Sequence, residues 1–95
     1  MATIATASIS GPGVFTTPVQ LAGHYNVSVN GVFSANVTVQ RSVDSVTWHD
    51  VVSFVGPAEH AGFEPEIMWY RVGVKTGQYV SGTSLIRLGR EDKVH

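Results

Sequence analysis

Between residues 27 and 55 the chain alternates small polar residues with β-branched and aromatic ones, interrupted at Asn30-Gly31 and again at Ser42-Val43-Asp44-Ser45. Period-2 alternation sends successive side chains to opposite faces of a strand. Asn-Gly supplies the positive φ values that a two-residue hairpin turn demands. The pattern predicts a strand over 19–30, bent near Gly23, and a hairpin partner after Gly31. In that partner Phe33, Ala35, Val37 and Val39 share the buried face, while Val32, Ser34, Asn36, Thr38 and Gln40 share the other. A further strand starts near Val46, with core residues from Trp48, Val51 or Val52, and Phe54. The inward order slips by one at Asp50-Val51-Val52, the mark of a β-bulge.

Gly56-Pro57 ends that strand, and residues 58–65 read as a loop or turn-rich crossover kept wet by Glu59, Glu64 and the nearby Glu66. Over 67–75 the alternation returns: Met68, Tyr70, Val72 and Val74 point to the core, and Ile67, Trp69, Arg71, Gly73 and Lys75 point away. After a turn at 76–78 and a short strand at Tyr79-Val80, the last strand, 84–90, places Ile86 and Leu88 inward. With six to eight strands and no helical periodicity, the expected fold is all-β. It is a single small antiparallel β-sandwich, immunoglobulin-like or jelly-roll-like.

Three parts are expected. Residues 1–18 form an N-terminal strand or arm with a hinge at Gly11-Pro12-Gly13, 19–90 the sandwich, and 91–95 a charged tail. An apolar arm of this kind either packs on its own domain or reaches a neighbour. If it reaches a neighbour, its removal leaves a folded domain that no longer assembles.

Composition narrows the function. Ninety-five residues make one small domain with a thin stability margin, to which a second subunit adds burial. The absence of cysteine excludes disulfides and thiolate metal sites. Six basic and seven acidic residues leave no basic patch, so nucleic acid is not an expected partner. No stretch is long enough to cross a membrane, and the opening residues lack the features of an export signal.

Candidate chemistry is sparse. His24, His49, His60 and His95 share no metal-ligand spacing, and neither a nucleophile elbow nor a phosphate-cradling glycine loop is present. Glu59, Glu64 and Glu66 lack the spacing of a calcium loop and read as surface carboxylates. No catalytic residue, metal or cofactor is expected, and association through a surface is what remains. The candidate interface is Ile4, Ile9, Val14, Phe15, Trp69 and Arg71, of residue types suited to subunit contacts. The alternative is a glycan- or receptor-contact face of Trp69, Arg71 and Tyr79, with rings for stacking and a guanidinium for directional hydrogen bonds.

Two motifs carry a resemblance. The first is Gln40, Arg41, Ser42, Asp44, Thr47, Trp48, Asp50 and Val51; the second is Tyr70, Arg71, Val72, Gly77, Tyr79, Ser81, Gly82 and Thr83. Over about residues 27–88 the chain resembles small β-sandwich structural proteins of tailed-bacteriophage virions, although Val43-Asp44-Ser45 stands where such segments commonly carry an Asp-Gly turn. The resemblance implies a capsid decoration or cement protein, or a head–tail or tail accessory component, made in the host cytoplasm and carried in the virion. Its implied partners are itself, as a homo-oligomer such as a trimer, and the major capsid protein or another virion protein.

Overall fold

The structure, a computed structural model, describes residues 2–90; the expected tail at 91–95 lies outside them. Seven strands follow one another: β1 (Ala2–Ile9), β2 (Val14–Phe15), β3 (Val19–Asn30), β4 (Phe33–Ser42), β5 (His49–Phe54), β6 (Ala58–Gly82) and β7 (Ser84–Arg90). All pairings are antiparallel, in the order β1-β7-β3-β6-β4-β5, with β2 also on β6. The all-β expectation and the strand count hold.

One strand organises the molecule. At about 3.3 Å per residue a straight β6 would be roughly 80 Å long, yet the longest dimension of the domain is 42 Å. β6 therefore bends, and its register slips mark where. One slip lies opposite Leu21 and Gly23 on β3, and two more lie on either side of Ala35 on β4, between Ser34 and Val37. Its first part pairs with β3 alongside β7 and β1; its second part pairs with β4, which carries β5. A single continuous sheet thus folds over itself into a sandwich-like domain.

Much of the predicted inward series lies in the observed core, which also takes in Ile9, Leu21 and Tyr25, while Thr38 and Gln40 on the other face are buried as well. Val27, Val29, Val37, Val39, Val72, Val74 and Leu88 are fully buried, and Leu21, Met68, Tyr70 and Ile86 nearly so. At roughly 25 cal/mol per Å2 of apolar area, this burial is the main favourable term in folding. The β-bulge also appears where the inward order slips: Val39 faces Val52 and Gln40 faces Asp50, leaving Val51 as the extra residue.

Several expectations are corrected. β3 and β4 are not partners, so Asn30-Gly31 closes no hairpin. Gly31 does take a positive φ of 101°, but the turn carries the chain from one layer to the other. There the Thr83 amide donates to the Val32 carbonyl at 3.1 Å, beside the matching β6–β7 crossing. A side chain on Gly31 would run into the Thr83 carbonyl oxygen. Residues 58–64 are not a loop but the first part of β6, paired with β3 from Gly23 to Val29. The strand expected from Val46 begins at His49, and Trp48 is half-buried outside the core. Tyr79-Val80 is not a separate short strand but belongs to β6.

The N-terminal segment is part of the domain. β1 pairs with β7 from Ala2–Arg90 to Ile9–Ser84, and Ile9 is 1 % exposed within the chain's own core. The Thr16 amide donates to the Val72 carbonyl at 2.8 Å, and the Val72 amide donates to Thr16 Oγ1 at 3.1 Å. Removing residues 1–18 would open the core at Ile9 and Thr16 and is expected to destabilise the remainder, a loss that a thermal melt of the truncated chain checks.

Candidate functional site

Two polar clusters and a set of exposed apolar side chains are the features from which function must be read. The first cluster is internal. Arg41 follows Val37 and Val39 on the inward phase of β4 and pairs in register with Tyr70. Its Nε and Nη2 donate to Glu64 Oε1 and Oε2 at 2.9 and 3.0 Å. The Tyr70 hydroxyl donates to Glu64 Oε1 at 2.7 Å, and the Glu66 amide to Oε2 at 3.2 Å. Glu64 is 2 % exposed, which corrects its reading as a surface carboxylate. A buried carboxylate is tolerated only when paired and fully hydrogen-bonded, and four donor contacts do that here. The Tyr25 ring packs on Tyr70 with centroids 4.9 Å apart and lies against Gly62, whose hydrogen leaves room for it.

Burial, and then the hydrogen bond to Glu64, push the Tyr70 phenol far above its ordinary value. Burial raises Tyr25 as well, partly offset by the Tyr70 hydroxyl and reinforced by the charge of Glu64. Burial lowers Arg41, but the hydrogen bond and charge of Glu64 outweigh it and hold the guanidinium above its usual range. A folded-state phenol value above the unfolded one gives a stability contribution that is complete below about pH 10 and shrinks as pH rises toward the folded value. Denaturant titrations at pH 8 and pH 11 are therefore expected to show a marked loss of stability at the higher pH. Tyr70→Phe is expected to show a smaller loss.

The second cluster lies on the outer face of β6. The Arg71 guanidinium sits between two rings, 4.0 Å from the Phe15 centroid and 4.4 Å from Trp48. Arg71 Nε donates to Gln40 Oε1 at 2.9 Å, and Gln40 Nε2 to Asp50 Oδ1 at 2.8 Å. Lys75 Nζ completes the chain on Asp50 Oδ2 at 2.7 Å. Desolvation lowers the Arg71 value, while Gln40 and then Lys75 hold Asp50 below the usual carboxylate range. The chain's own Phe15 and Trp48 rings both stack against the Arg71 guanidinium, so this residue clamps β2 and the segment before β5 onto β6. Such stacking contributes about 0.5–1 kcal/mol per ring at exposed positions.

The motif residues between 42 and 47 also have local work. Asp44 Oδ1 accepts the Val46 and Thr47 amides at 2.9 and 3.0 Å, and Ser42 Oγ accepts the Ser45 amide at 2.9 Å. The backbone amides of Thr47 and Val46, then the Ser42 hydroxyl, lower the Asp44 value. This side-chain cage takes the place of an Asp-Gly turn, and Ser45 adopts the positive φ of 64°.

The sequence-based site residues therefore disperse. Ile9 is in the core, Ile4 is half-buried against it, and Phe15 and Arg71 contact each other. Val14 remains 43 % exposed. Trp69 and Arg71 share the outer face, but Tyr79 packs against the core and donates from its hydroxyl to the Gly82 carbonyl at 2.8 Å. The glycan-contact trio is thus not brought together. Among the described residues, depressions of the surface include the following pair. One of about 360 Å3 includes Ser34, Asn36, Val55, Gln78 and Val80; the other, of about 480 Å3, includes Thr6, Ser8, Asn30, Leu85 and Arg87.

The sequence pattern put Val32 and Ile67 on outward phases but did not reveal how the exposed apolar side chains are distributed. Val43, Val46 and Ile67 are 78, 77 and 70 % exposed. Val43 and Val46 lie in the turn just after β4, and Ile67 in β6, close to where the β4–β6 ladder ends at Ser42 and Trp69. At the opposite end of β4, Val32, Val55 and Val80 are 91, 79 and 75 % exposed, and the last two line one depression. Among the described residues no three His, Asp or Glu side chains converge as a metal site.

Fold and surfaces together define a small all-β domain of the sandwich-like class with exposed apolar side chains near both ends of β4. No family model matches the chain, and no curated protein or solved structure matches it.

Proposed function

We propose that this chain is a non-enzymatic structural protein of a tailed-phage virion, a capsid decoration or cement protein that binds the capsid as a homo-oligomer. The supporting observation is the two sets of exposed apolar side chains near the two ends of β4, Val43, Val46 and Ile67 at one and Val32, Val55 and Val80 at the other. Exposed apolar groups gathered at particular places mark association surfaces. A domain with two such sets suits a protein that touches two neighbours. Each contact is small, and repetition over many copies supplies the avidity. The motif residues fit this reading too, because Asp44, Arg71 and Gln40 stiffen the frame that presents those side chains.

The decisive experiment is proteomic and then physical. Mass spectrometry of purified particles of the phage encoding the chain is expected to find it at high copy number. Particles lacking it are expected to release their DNA at a lower temperature, with recovery on adding the purified protein. Absence from the particles would overturn the reading.

A further inference from the structure

The two terminal strands of the sheet differ in how they meet solvent. β5 is a blunted edge: it is six residues long, carries the Val51 bulge, and bears His49 and an Asp50 tied to Lys75. Bulges and charges of this kind prevent an edge from recruiting another strand. β1 has no charge and no proline, and among the described residues only β7 pairs with it. Its single irregularity, between Thr3 and Ala5, leaves residues 5–9 in unbroken register. One row of backbone donors and acceptors along this stretch therefore lacks a strand.

We propose that two copies of the chain pair antiparallel through the free edges of β1, joining two sheets across a twofold axis. A second copy is the occupant because the edge is self-complementary and neutral. The first forty residues contain no Asp, Glu, Lys or Arg, so no like charges on β1, β2 or β3 oppose their own copies, and no charged partner is selected by this strand. An axis through Ala7 uses the whole regular stretch. It sets Ala5 opposite the partner's Ile9, so inward residues meet inward residues and the two cores become continuous. On the outer face it sets Thr6 opposite the partner's Ser8, and both side chains are exposed in the single chain. An isologous contact of this kind closes at two subunits, leaving the exposed apolar side chains near the ends of β4 free in both copies. The inference rests on the reading that the chain works by self-association, and not on its placement in a virion.

Sedimentation of the purified full chain over a concentration series is expected to show reversible dimers. Thr6→Glu combined with Ser8→Glu places carboxylates directly opposite in the dimer, while within the subunit the carboxylate at position 6 lies beside Arg87. This variant is expected to keep its circular dichroism and thermal transition but to dimerise at least about tenfold more weakly. Because the chain has no cysteine, a second measurement is independent of affinity. Oxidising a mixture of Thr6→Cys and Ser8→Cys proteins is expected to join unlike variants, whereas either alone cross-links poorly, since directly opposed positions alone approach disulfide distance. A protein that stays monomeric throughout, a dimer indifferent to the two added carboxylates, or cross-linking with no preference for the mixed pair would each overturn the proposal. Finding the chain in virions while it fails these tests would leave the functional reading standing and remove this interface.

Discussion

Glu64→Ala is expected to be among the most damaging single substitutions in this protein. It leaves the Tyr70 hydroxyl buried without its acceptor and strips Arg41 of both charge-assisted hydrogen bonds. Breaking a buried pair by removing one partner costs about 3–5 kcal/mol. The Arg41 side chain is 39 % exposed, so its guanidinium regains water and the loss falls to about 3 kcal/mol. For a domain of this size that corresponds to a fall in Tm of roughly 12–24 °C. Thermal and urea denaturation check it. Glu66→Ala is the control: Glu66 is exposed two residues away, and the expected change stays within about 0.5 kcal/mol.

Gly73→Ala is expected to be comparably damaging by a different route. Gly73 is buried and paired on both sides, with Phe15 of β2 and Thr38 of β4. A Cβ there would run into the Val14 carbonyl oxygen and lie 2.5 Å from Phe15 Cα and 2.7 Å from Phe15 Cδ2. Backbone cannot yield as a side-chain tip does, so β2 must leave β6, taking Phe15 off Arg71. Overpacking of this kind costs about 1–3 kcal/mol and occasionally more. Alanine's smaller unfolded-state entropy returns only about 0.4–1 kcal/mol. A net loss of about 2 kcal/mol is expected, with faster amide exchange at Phe15 and Thr16. Gly56→Ala, where a Cβ would meet nothing within 4 Å, is expected to be neutral.

These two substitutions also show where sequence reading stops. Gly73 stands on the outward phase of the 67–75 alternation, and nothing local says that a two-residue strand will lie across it. Glu64 sits among Gly62, Pro65 and Glu66, a composition that reads as loop. Pairing with β3 overrides that local preference. One signal for the buried carboxylate was present: Arg41 continues the inward series Val37, Val39, and a charged residue on an inward phase calls for a buried opposite charge. Its partner lies 23 residues away, and that distance in sequence hides which carboxylate answers.

The candidate surface divides the same way. Trp69 and Arg71 are on one face, as period 2 requires, but the occupation of Arg71 by Phe15 and Trp48 depends on two segments arriving from elsewhere. Alternation put Val32 and Ile67 outward, but Val43, Val46 and Val55 lie off the strands and Val80 at a β6 irregularity, where it gives no phase to read. Their gathering follows from the antiparallel ladder between β4 and β6.

Alternation by itself determined that this protein is all-β, which residues of the central strands face inward, and that a bulge falls at Asp50-Val51-Val52. Those properties depend on the direction of neighbouring side chains along one strand, a local matter of backbone geometry. Only the tertiary structure decided that Asn30-Gly31 joins layers rather than a hairpin, that β6 runs through both layers, and that Glu64 is enclosed. Strand pairing is a choice among distant segments, made by the total burial and hydrogen bonding of the whole chain. A turn motif records the local dihedral angles it needs, and nothing about which strand will lie alongside.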